Sequence, residues 1–88
     1  MERKRQKVFQ AMEIILRDCV HFAYLDAVCG YDMTQDEDTF LDEMMDFYES
    51  ELHLISDYMK DDFKLFVKQM YKIYTNNYKF FVGIFSSI

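Results

Sequence analysis

Thr34-Gln-Asp-Glu-Asp-Thr-Phe-Leu-Asp-Glu-Met-Met-Asp-Phe-Tyr-Glu-Ser-Glu-Leu-His-Leu-Ile-Ser-Asp-Tyr-Met59 decides the fold class. Leu41, Met45, Tyr48, Leu52, Ile55 and Met59 recur in steps of four and three, the period of a packed helix face. Phe40, Met44, Phe47 and Leu54 widen that stripe, and Asp38, Asp42, Asp46, Glu49, His53 and Asp57 fill the opposite side. Thr34 with Glu37 fits a capping box, in which side chain and backbone satisfy each other's free amides, so a helix is predicted over 35–59. Asp36, Glu37 and Asp38 complement the electropositive first turn of such a helix.

The same periodicity extends outward in both directions. Upstream, Val8, Met12, Ile15, Cys19 and Phe22 predict a helix over 4–29, stopped by Gly30, which accepts the left-handed conformation that ends helices. Its second half is apolar most of the way round, because Leu16, Val20, Tyr24 and Ala27 lie off the main stripe. These four are the expected oligomer interface, since a helix apolar on several sides must be covered on several sides. Asp18 and His21 in this half call for a polar partner, such as Arg17 or a neighbouring tyrosine.

Downstream, a break is expected near Met59–Asp62, with Asp57, Asp61 and Asp62 suited to the start of a third helix over 61–82. That helix would carry Phe63, Phe66, Val67, Met70, Ile73, Tyr74 and Phe81 inward and a lysine ladder, Lys60, Lys64, Lys68 and Lys72, outward. With no Pro and only two Gly among 88 residues, a many-turned sheet has few turn formers. The expected architecture is all-α: a single domain over residues 1–88, an antiparallel three-helix bundle about 35 Å long, completed by dimerisation.

Charge is sorted along the chain. Residues 1–30 carry a net +1, residues 31–62 a net −11 and residues 63–88 a net +4, for −6 overall. An acidic element folded beside a basic one follows, with surplus negative charge left for solvent or a partner. The chain is 51% apolar and 18% aromatic, too much for a disordered acidic segment. Cys19 and Cys29 are about 15 Å apart along one helix, too far for a bridge, and both read as buried, reduced thiols. With no signal-peptide pattern or membrane span, the expected compartment is the reducing cytoplasm, or the host cytoplasm for a viral protein.

Several kinds of chemistry lack their residues. Asp32, Thr34, Asp36, Asp38 and Glu43 imitate the oxygen spacing of a calcium loop, but Glu37 stands where the sharp turn needs Gly, so no calcium site is expected. Glu49, His53 and Asp57, or Asp18 and His21, could offer metal ligands, yet there is no Glu-x-x-His and no matching set on a second helix. Cys19 and His21 point in different directions on a helix, and no phosphate loop or nucleophile elbow exists. No enzyme activity, metal or cofactor is expected.

The leading expectation is a small acidic protein-protein interaction module, an adaptor or regulator. A second is an acidic inhibitor of phage or viral type. Its partner-binding face, Asp38, Asp42, Asp46, Glu49 and Asp57, would imitate a phosphate backbone and occupy the basic groove of a nucleic-acid-binding protein. A third is direct nucleic-acid binding through Lys64, Lys68, Tyr71 and Lys72, which combine cations with an aromatic ring, although the overall acidity opposes it.

Overall fold

The structure is a computed structural model that describes residues 2–30 and 36–87, all helical apart from short caps and turns. Helix α1 spans Glu2–Cys29, α2 Glu37–Met59 and α3 Phe63–Ser86, with a single 3-10 turn, Lys60–Asp62, between α2 and α3. There is no strand among the described residues. The molecule measures 50 × 22 × 19 Å with a radius of gyration of 14.1 Å. A compact chain of this length would have about 12 Å, so the shape is elongated beyond the expected 35 Å bundle.

Each helix end has a local cause. Gly30 closes α1 at φ 77°, with its amide on the Ala27 carbonyl at 3.3 Å. The capping box drawn on Thr34 lies outside the described residues, and α2 begins at Glu37 rather than at 35. Its cap is Asp36, extended at φ −82° and ψ 176°, whose carboxylate accepts the Thr39 amide at 2.8 Å. Aspartate caps a helix as well as threonine does, so Asp36, expected within the first turn, serves as the cap instead. That amide bond holds the Asp36 carboxyl below its usual range.

The break expected near 59–62 is present. Lys60 adopts φ 51°, a left-handed value uncommon outside Gly and Asn, and its amide reaches back to Ser56. Asp62 precedes α3 but makes no side-chain cap, and α3 continues through Gly83 to Ser86 instead of ending at 82.

α2 runs antiparallel to α1. The contacts Phe9 with Tyr58, Asp18 with Tyr48 and Phe22 with Phe47 follow opposite order in the two helices. α1 packs more extensively against α3 than against α2. Its buried line is Ala11, Ile15, Cys19, Ala23 and Ala27, joined by Val8. Steps of four drift about 40° each, so this line turns about 160° round the helix. A line that winds so far meets more than one neighbour, and its alanines let those neighbours come close.

The buried line of α2 departs from the expected stripe. Before Tyr48 the buried residues are Phe40 and Met44, and after it Leu52 and Ile55. Leu41 and Met45 are only half-buried, and Phe47, placed on the stripe by periodicity, is 71% exposed. Tyr48 has non-helical angles, φ −125° and ψ 38°. The kink falls between the two buried pairs, Phe40 with Met44 and Leu52 with Ile55. In α3 the buried residues are Phe66, Val67, Met70 and Tyr74, and Phe63, Ile73 and Phe81 pack against them, as the periodicity predicts.

Candidate functional site: an aromatic and acidic cleft among the three helices

Two hydrogen bonds between helices organise the middle of the molecule. The Tyr48 hydroxyl donates to Asp18 Oδ2, joining α2 to α1, and the Tyr74 hydroxyl donates to Asp26 Oδ2, joining α3 to α1. Asp18 and Asp26 are eight residues apart on the largely apolar half of α1, where a carboxylate without a partner would be expensive. The tyrosine expected near Asp18 is therefore Tyr48. His21 is exposed. Burial first, and then the neighbouring carboxylate, push both phenols above their ordinary value of 10.0. No buried polar side-chain atom among the described residues is left without a partner.

Beside the Asp26–Tyr74 bond lies a cleft of about 190 Å³, lined by Phe22, Asp26, Phe40, Glu43, Met44, Phe47 and Tyr74. Its rings come in two pairs. Phe22 and Phe47 have centroids 5.5 Å apart, and Phe40 and Tyr74 are 4.9 Å apart. Periodicity assigns Phe40, Phe47 and Tyr74 to the core, Glu43 figures in the sequence only as the last position of the rejected calcium spacing, and nothing there assigns Asp26 a role. The one available signal was an aspartate at position 26 on an apolar helix.

The other expected surfaces have definite places. Asp38, Asp42, Asp46, Glu49 and Asp57 are all exposed, and the kink at Tyr48 divides them, with Glu49 and Asp57 beyond it. The only ion pair among the described residues is Arg17 with Glu13, at 3.1 Å on the exposed side of α1. Acidic and basic elements do meet at a second cavity of about 370 Å³, where Glu37 and Asp38 share walls with Lys64 and Lys68 over Leu41, Phe63 and Val67. Lys64, Lys68 and Lys72 are exposed, whereas Tyr71 packs its ring 5.6 Å from Phe40.

The four residues of the expected oligomer interface differ in how far the chain itself covers them. Ala27 is buried, Leu16 and Val20 are half-buried, and Tyr24 meets Phe81 and Phe85 edge-on at 5.4 and 5.9 Å. Tyr24 stays open to solvent in spite of these ring contacts, along with Phe9, Ile14, Leu25 and Val28 of α1.

Cys19 is fully buried beside Asp18, and burial pushes its thiol up from 9.0 to about 12, away from any nucleophilic role at neutral pH. Cys29 is exposed. No three His, Cys, Asp or Glu side chains converge on a metal position among the described residues. No described helix is long and apolar enough to cross a membrane. Comparison with protein families, curated proteins and solved structures finds no match to this chain.

Proposed function

We propose that this chain is a non-catalytic interaction module: a three-helix bundle that acts through surface contact and is completed by a second copy of itself or by another protein. The observation that carries this reading is the amount of large apolar surface the helices leave open. Phe47 is 71% exposed, Leu65 64%, Phe80 61% and Val28 54%. Single exposed hydrophobics are ordinary, but contiguous ones mark interaction surfaces. Ile14, Leu25 and Val28 project within about 60° of one another on α1, and Phe80 and Ile84 are one turn apart on α3.

Light scattering over a range of protein and salt concentrations tests the reading. An apolar association persists at high ionic strength, because salt screens charges and leaves apolar burial in place. A chain that is monomeric throughout, and retains no protein from its source cell, would overturn it.

A second reading is favoured by the free acidic face. Asp38, Asp42, Asp46, Glu49 and Asp57 are exposed and none is in an ion pair. A row of carboxylates without internal partners suits a basic partner, including the groove of a nucleic-acid-binding protein, and such a complex weakens steeply with salt.

A further inference from the structure

The cleft between Phe22, Phe40, Phe47 and Tyr74 combines aromatic walls with two carboxylates, and we propose that it takes the side chain of an arginine presented by a partner protein. The inference rests on the reading of this chain as a protein-binding module and names the residue type that the module grips.

Four features lead to arginine. The first is size: about 190 Å³ is below the roughly 300–1,000 Å³ of pockets that enclose whole small molecules, and suits one long side chain. The second is charge. Asp26 and Glu43 both line the cleft, in a chain of net charge −6, with no cation in the lining. Tyr74 occupies one acceptor position of Asp26, and a carboxylate offers about four. The third is the aromatic lining. The pairs Phe22–Phe47 and Phe40–Tyr74 line the same space, and a guanidinium is attracted to aromatic rings while its methylene stem packs on them.

The fourth is exposure. Phe47 and Glu43 are open to solvent whereas Phe40, Met44 and Tyr74 are buried, so the cleft has a rim and a floor. An apolar ligand would desolvate Glu43 and the acceptor positions of Asp26 that Tyr74 leaves open, and an ammonium would forgo the planar stacking and forked donors that a guanidinium offers.

The test is an NMR titration of the intact protein with N-acetyl-arginine methylamide, run beside the lysine analogue and beside citrulline, which keeps the shape and lacks the charge. Arginine should shift the ring resonances of Phe22, Phe40, Phe47 and Tyr74 in a saturable way, with citrulline at least about tenfold weaker. Glu43→Gln and Phe47→Ala alter the exposed rim, and each should weaken arginine about tenfold while the remaining resonances report an unchanged fold. Equal binding of citrulline, equal or tighter binding of lysine, or shifts confined to the face around Asp42 and Asp46 would overturn the assignment. So would variants that bind as well as the parent.

Failure here and failure of the module reading have different signatures. A captured partner that binds the parent and both rim variants equally well refutes the cleft and keeps the module. Saturable arginine binding by a chain that is monomeric and captures no protein supports the cleft's preference and refutes the module.

Discussion

The Tyr48 hydroxyl donates its hydrogen bond to Asp18 at the very residue where α2 leaves helical geometry. Kinks usually fall at Pro, at Gly and Ser pairs or where a side chain breaks into the backbone ladder. The chain has no Pro, and its glycines stand at 30 and 83. The bond to α1, 30 residues away in sequence, holds Tyr48 against Asp18 at the point where α2 is interrupted.

Replacing Tyr48 by Phe keeps the ring and removes the donor to a carboxylate. A hydrogen bond to a charged group contributes about 1.5–3 kcal/mol, and a loss in that range is expected in urea unfolding. Combined with Asp18→Ala in a double-mutant cycle, the second substitution should add little once the first is present, because both remove the same interaction. Full additivity would show that the bond contributes nothing.

Stability should fall at alkaline pH. Folding raises the ionisation of Tyr48 and Tyr74 above 10.0, and that of Cys19 from 9.0 to about 12. A raised value favours the neutral form in the native state, so the contribution is complete below the unfolded value and is lost as pH climbs through the folded one. The decline therefore begins near pH 9 and steepens above 10. In an ultraviolet titration, Tyr48 and Tyr74 should ionise late, together with unfolding, and Tyr48→Phe should remove part of the late signal. Early ionisation of all tyrosines in the folded protein would contradict this.

The two cysteines should separate cleanly in a thiol-labelling experiment. Cys29 is exposed at the end of α1 and should react at once, while Cys19, fully buried, should react only as the chain unfolds. Mass spectrometry of the labelled protein should find one modification under native conditions and two in denaturant.

Changing Asp42, Asp46 and Glu49 together to Asn, Asn and Gln should leave the fold intact, since all three are exposed and outside any ion pair. Like charges one turn apart repel by a few tenths of a kcal/mol, so a small gain in stability is expected. If the acidic face meets a basic partner, association of the triple variant slows and its salt dependence flattens. An unchanged rate and salt slope would leave the exposed apolar residues as the binding surface.

The sequence by itself determined that the chain is helical, that Gly30 ends the first helix and that a break falls between 59 and 62. It also marked both cysteines as buried, which holds for Cys19 and not for Cys29, and Asp18 as needing a polar partner, Arg17 or a tyrosine. These are properties of periodicity, of a single residue's backbone freedom, or of the cost of leaving a carboxylate unpaired on an apolar face, and all can be read along one dimension.

The tertiary structure alone decided that Phe47 is left open at the edge of its stripe, because exposure depends on which neighbours pack there, and that Tyr48 bonds to Asp18 where α2 is kinked. It alone also brought Asp26 to Tyr74, 48 positions on, with Glu43 beside them in one cleft. Side chains that far apart meet only when three helices settle on a relative rotation, and that rotation is set by packing of the whole core, not by the spacing within any one segment.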